Sequence, residues 1–219
     1  MLYSKKYRFL YVHIAKTGGT SMRAALKSLL WKDVEYYPRW LCHKISSLFA
    51  HRLGTKIPRH AHAIAAKEML PNELYSSLFK FAFVRNPWDL QVSSWHHLRR
   101  EQPHLVSHCS TFSDFIRFKF DKARPYQYHL DTSIDLQSNY VKDLNGTVLL
   151  DFIGRFEHLE EDYHYVCSKL GIVTKKLPEK RKATTRHKDW RTYYDTHTHD
   201  LVASYFSEDI RRFGYTFDQ

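Results

Sequence analysis

The chain has 219 residues, 43% of them hydrophobic, enough for one sizeable buried core, and reads as a single domain over residues 1–219. Its formal net charge of +11 calls for an anionic partner, whether nucleic acid, a polyanionic surface or a multiply phosphorylated cofactor. No apolar run reaches the roughly 18 residues of a membrane span and no apolar leader opens the chain, so a cytoplasmic protein with no membrane contact is expected.

Tyr7 to Ile14 (YRFLYVHI) combines aromatic and β-branched residues with little polar alternation, the pattern of a strand buried on both faces of a parallel sheet. After the turn AKTGGTS, the segment Ser21 to Leu30 puts Met22, Ala25, Leu26 and Leu29 at helical spacing, with Thr20 or Ser21 as N-cap. Tyr36 to Arg59 is irregular and basic, with one helix expected over Leu41 to Arg52, and Ala63 to Leu70 suits a short helix ended by Pro71. Leu78 to Val84 (LFKFAFV) is a second buried strand, followed by the turn Arg85-Asn86-Pro87-Trp88 and a helix over Asp89 to Arg99. Further helices are expected over Thr111 to Phe120, Leu159 to Leu170 and Thr192 to Phe206, with a third strand at Val148 to Ile153. The alternation of strands and helices gives an α/β class, a three-layer α/β/α arrangement around a mainly parallel sheet, with ligands at the carboxyl ends of the strands.

The cysteines, Cys42, Cys109 and Cys167, are odd in number and far apart, which excludes a disulfide framework. The fifteen histidines are scattered and none falls in a zinc-binding spacing, so no metal is expected.

The turn Lys16-Thr17-Gly18-Gly19-Thr20-Ser21 carries the chemistry. A helix N-terminus offers unpaired backbone N–H groups and the positive end of the helix dipole, two glycines permit close backbone approach, and this turn adds an ammonium and three hydroxyls. It suits a phosphate. The competing explanation is a Gly-Gly turn required by geometry alone. The nucleotide-hydrolase pattern G-x-x-x-x-G-K-[ST] is not met, because Lys16 precedes the glycines.

The segment HIAKTGGTS resembles the loop that binds the 5′-phosphosulfate in sulfotransferases using 3′-phosphoadenosine 5′-phosphosulfate (PAPS), in the branch of carbohydrate and short bacterial enzymes. That resemblance makes a second demand, a strand ending in Arg, then Asn or Asp and Pro, with a Ser on the following helix to hold the 3′-phosphate. FAFVRNPWDLQVSSW meets it with Arg85, Asn86, Pro87 and Ser93. Weaker similarity extends to DFIGRFEHL, where Arg155 and Glu157 suggest a buried ion pair, and to DIRRFGYTF. One position departs from the pattern: Leu90 stands where relatives often carry a second Arg, and Arg181, Lys182 or Arg186 in the loop KRKATTRHK are candidates to replace it.

The resemblance implies a P-loop-like sulfotransferase fold, PAPS as donor, PAP as product and no metal. Lys16 would stabilise the bridging oxygen and leaving phosphate, helped by the loop amides and the hydroxyls of Thr17, Thr20 and Ser21. Transfer also needs a base for the acceptor proton. His60, His62 and Glu68 precede the second strand, and His96 and His97 follow Ser93; His62 has the place of the catalytic histidine in heparan sulfate 2-O-sulfotransferase-like enzymes and is expected to be the base. An imidazole, with an unperturbed pKa of about 6.5, can accept a proton near neutrality. The acceptor is a saccharide, for which Lys44, Arg52, Lys56 and Arg59 are candidate contacts, or a small hydroxylated metabolite. Two other readings remain: a kinase, which would need an acidic magnesium ligand where Arg85 ends the second strand, and a basic nucleic-acid-binding module, for which no recognition motif is visible.

Overall fold

The computed structural model describes residues 1–38, 40–42, 57–174, 176–178, 187 and 189–218. Among the described residues, four strands form one sheet in the order β1-β2-β3-β4: β1 Leu2–Ser4, β2 Phe9–Val12, β3 Phe79–Val84 and β4 Phe152–Arg155. β1 runs antiparallel to β2, while β2 with β3 and β3 with β4 are parallel, so the sheet is mostly parallel, as expected. The helices are α1 Gly19–Leu30, α2 Ala63–Met69, α3 Asn72–Ser77, α4 Pro87–Glu101, α5 Phe112–Phe120, α6 Tyr128–Asp131, α7 Gln137–Val141, α8 Leu159–Lys169, α9 Thr196–Tyr205 and α10 Ser207–Phe213.

All four residues of β2 are buried, because both faces of the sheet are covered. Phe9, Tyr11, Phe81 and Phe83 share one face by the two-residue period and pack with Met22, Leu26 and Leu30 of α1 and with Tyr163, Val166 and Cys167 of α8. The chain divides into two compact units interleaved along the sequence: residues 1–14, 18–84 and 139–180, which hold the sheet, and residues 15–17, 85–138 and 181–219. The second has its own helical core, in which Trp88, Val92, Trp95 and Leu98 of α4 meet Phe112, Phe115 and Ile116 of α5 and Val202 of α9.

Several elements differ from expectation. Lys5 to Arg8 form the turn joining β1 to β2, so the strand expected from Tyr7 starts only at Phe9. The strand expected over Val148–Ile153 lies at Phe152–Arg155, because a turn at Gly146 (φ 83) sends Val148 into a bridge with Lys142. The helix expected over Thr192–Phe206 begins at Thr196, where the Asp195 carboxylate accepts from the Thr198 amide at 2.7 Å and sets the N-cap. Glu157 is exposed, which excludes a buried ion pair with Arg155. Of the helix expected over Leu41–Arg52, residues 41 and 42 are helical and 43–52 lie outside the described residues.

Candidate active site

The turn after β2 is built to start a helix early. Lys16 has φ 66 and Gly18 has φ 78, both left-handed, and Gly18 is the N-cap of α1. This replaces the expected Thr20 or Ser21 cap: the left-handed glycine turns the chain so that the helix begins at Gly19 and takes both hydroxyl residues into its first turn. No side chain caps α1, and its first turn holds no acidic residue. An uncapped end of a 12-residue helix, with its amides and dipole directed into the turn, suits an anion. Thr20 is exposed, Ser21 and Lys16 are half-buried, and Thr17 is fully buried, which assigns Thr17 to the inside of the turn.

The glycines have a reason that the sequence did not reveal. A Cβ on Gly19 would lie 1.7 Å from Nε2 of His13, and one on Gly18 would lie 2.7 Å from the Leu159 side chain. Gly19 is therefore required by the buried His13 ring beneath the turn. The geometric explanation holds for the glycines, while the lysine and the uncapped helix lie outside it.

The turn after β3 is organised around Arg85, whose side chain is 4% exposed. Its Nε and Nη2 each donate to Oδ2 of Asp89 at 2.7 Å, and its Nη1 donates to the Lys16 carbonyl at 2.9 Å. The Arg85 amide donates to Oε1 of Gln137 and its carbonyl accepts from Nε2 of Gln137, both at 2.8 Å. Gln137 is held in turn, since its amide and that of Ser138 donate to the buried Asp209 carboxylate at 2.8 Å. Burial pushes the Asp209 carboxyl up from its ordinary range, against those hydrogen bonds. Asn86 caps α4 by accepting from the Trp88 amide at 3.1 Å, and its Nδ2 donates to the Thr216 carbonyl at 2.8 Å; Pro87 fills the first helical position. The Arg-Asn-Pro run thus reads as anchor, cap and helix starter.

Ser93 is half-buried on α4. Leu90 is 2% exposed and belongs to the packing, so that place offers nothing to a ligand. The proposed substitutes Arg181, Lys182 and Arg186 lie outside the described residues, as do Lys44, Arg52 and Lys56.

Among the candidate bases, His62 is half-buried at the N-cap of α2 with its ring edge against Tyr140, centroids 4.5 Å apart. His60 lies with its ring 4.6 Å from that of His13, and its Nδ1 donates to the His13 carbonyl at 3.0 Å, which leaves Nε2 as the basic nitrogen. Burial, then the nearby Arg59, lowers the His60 pKa to about 4. Burial, then His60 and Arg23, holds His13 well below the ordinary imidazole value. Glu68 is exposed, and in the second unit His96 is paired with the Tyr193 hydroxyl at 2.8 Å.

Sequence reasoning missed Asp89, Gln137, Asp209, His13 and Lys119. Asp89 carried a signal, an acid four residues after Arg85 on a helix. Gln137, Asp209 and Lys119 act across long separations, and the role of His13 depends on its burial beneath Gly19. Lys119 is wholly buried, donating to Gln91, Ser94 and Ser133 at 2.6, 3.0 and 2.8 Å, and burial pushes its pKa well below the ordinary lysine value.

The model of the sulfotransferase family matches residues 1–216. The chain belongs to the sulfotransferase family. Membership carries sulfuryl transfer to a hydroxyl-bearing acceptor in general. Among curated proteins, an uncharacterized protein of Archaeoglobus fulgidus is 30% identical over 102 residues, covering 46% of this chain and 73% of that one. No solved structure matches the chain. Among the described residues no helix is long and apolar enough to cross a membrane, and no group of three or more His, Cys, Asp or Glu residues is placed to hold a metal ion.

Proposed function

We propose that this sulfotransferase works as one domain, taking the sulfuryl group from PAPS and passing it to an acceptor hydroxyl by in-line displacement. The observation that carries this reading is the hydrogen bond from Arg85 Nη1 to the Lys16 carbonyl, which ties the residue expected at the 3′-phosphate to the residue expected at the reacting group. The uncapped start of α1 supports the 5′ assignment, and its amides at Gly19 and Thr20 would face the phosphosulfate with the Thr20 and Ser21 hydroxyls. Thr17, being buried, shapes the turn from within. Arg85 and Ser93 would take the 3′-phosphate, with a basic residue of the late loop, Arg181 or Arg186, in place of the missing second arginine.

In the reaction the acceptor oxygen forms a new bond to sulfur as the bond from sulfur to the bridging phosphate oxygen breaks. The hydroxyl proton passes to His62, and Lys16 meets the charge that develops on the bridging oxygen. His62 is preferred to His60, because a base whose pKa is held near 4 by burial has little affinity for the proton it must take. PAP leaves as product and the chemistry calls for no metal.

Radiolabelled PAPS and a panel of saccharides and small hydroxylated compounds test this directly. Transfer of label by the wild-type chain, and a loss of at least about a hundredfold in single turnover for Lys16→Ala together with weakened PAPS binding, are expected. Undiminished turnover in Lys16→Ala would remove the loop assignment.

A further inference from the structure

On the sheet-bearing unit, Met1, Arg23, Ile57, Pro58 and Arg59 line a cavity of about 380 Å³. Arg23 stands on the second turn of α1, just past the hydroxyls of the Lys16 turn. Its Nη1 is buried and has no hydrogen-bond partner among the described residues. Behind it, the Tyr11 hydroxyl and Nδ1 of His13 are likewise buried without partners, their rings stacked with centroids 5.7 Å apart. Buried polar atoms are ordinarily hydrogen-bonded, because each one left unmatched costs roughly 1–3 kcal/mol. Of the three, Arg23 is the one that lines the cavity, and its unmatched obligatory donor points to a ligand that accepts hydrogen bonds.

The charges agree. The ionisable groups acting on Arg23 are Arg59, Tyr11 and Tyr36, and burial followed by the Arg59 charge lowers its pKa. Lys27, one helical turn further on, feels both arginines. Two guanidinium groups thus line a cavity large enough for a sugar-sized group, with the Lys27 ammonium near enough to feel both.

We propose that this cavity is an anion subsite in which Arg23 and Arg59 hold a carboxylate, sulfate or phosphate group of the acceptor. The assignment to the acceptor rests on the sulfotransferase reading above. It follows from position: Pro58 and Arg59 lead through His60 to His62 within three residues, so an acceptor anchored by its anion here presents its hydroxyls beside the proposed base. The anchor would decide specificity, favouring acidic over neutral acceptors, and Arg23 and Arg59 become specificity-determining residues.

Isothermal titration with inorganic sulfate, on protein already saturated with PAP, separates this cavity from the nucleotide turns. Wild-type protein is expected to bind one sulfate, and Arg23→Gln and Arg59→Gln each to weaken it at least tenfold with PAP affinity unchanged. Arg59 is exposed, so that variant stays informative if Arg23→Gln folds poorly. Absent sulfate binding, or equal binding in both variants, would overturn the site. Glucuronate and glucose, matched except for the carboxylate, then identify the source of the anion. Displacement of sulfate by glucuronate and not by glucose is expected; sulfate that neither sugar displaces would make this a free-anion site and overturn its role for the acceptor. If PAP itself fails to bind, the sulfotransferase reading falls, while sulfate titration of wild-type and Arg23→Gln protein still judges the cavity.

Discussion

At the turn after β2 the helix starts on a left-handed glycine, with no side-chain cap and no acid in its first turn; at the turn after β3 Asn86 caps the helix, Pro87 starts it and Asp89 stands in its first turn. The two turns follow the same end of neighbouring parallel strands, yet the first has no side-chain cap on its helix while the second spends its arginine largely on its own chain. The Arg85 guanidinium pairs with Asp89 and also holds the Lys16 carbonyl. A left-handed non-glycine residue such as Lys16 costs on the order of 1–3 kcal/mol, and the Arg85 hydrogen bond is one contact that helps to hold it there. The Arg85 turn is therefore an anchor for Lys16.

The largest effect should come from breaking that anchor. Asp89→Ala leaves a buried guanidinium without its carboxylate, and a loss of about 3–5 kcal/mol in urea-unfolding stability is expected. A loss below about 1 kcal/mol would mean that the second turn does not depend on this pair.

Acid should act on the first turn before the second, because His13 and His60 pack beneath it. His60 is held near 4 against an ordinary 6.5, so the unfolded chain binds this proton more readily. The stability linked to it is full above about 6.5 and is lost as pH falls toward 4, on the order of 2 kcal/mol after discounting for partial exposure, with His13 adding in the same direction. Denaturation at stepped pH on wild type and His60→Gln checks it, the variant being flatter between pH 6.5 and 4. Equal slopes would contradict the assignment.

The smallest effect concerns a residue on neither turn. His62→Ala should lower turnover at least tenfold with PAPS affinity nearly unchanged. Near-wild-type turnover would pass the role of base to His60 or Glu68.

Much of this organisation was legible in the sequence, for identifiable reasons. β2 and β3 are apolar runs buried on both faces, and α1 and α5 carry clear helical spacing, so local pattern and tertiary role agree there. β1 escaped notice because three residues, Leu2–Ser4, are too short to show a period. At the site, Lys16 and Arg85 were visible as motif residues, but the purpose of Gly19 was not. It depends on the His13 ring, whose burial only the fold reveals. Gln137 and Asp209 support Arg85 from 52 residues away and through a further carboxylate, a separation no local pattern records. The Arg23 cavity was invisible for the same reason, since it joins the second turn of α1 to the segment before His62.

The central proposal is that Lys16 and Arg85 serve opposite ends of one nucleotide, and calorimetric titration of the wild-type chain with PAP and with 5′-AMP, which lacks the 3′-phosphate, tests it most directly. The account predicts that PAP binds at least tenfold more tightly than 5′-AMP and that Arg85→Lys erases most of the difference. Equal affinity for the two nucleotides, or an undiminished preference for PAP in Arg85→Lys, would contradict it.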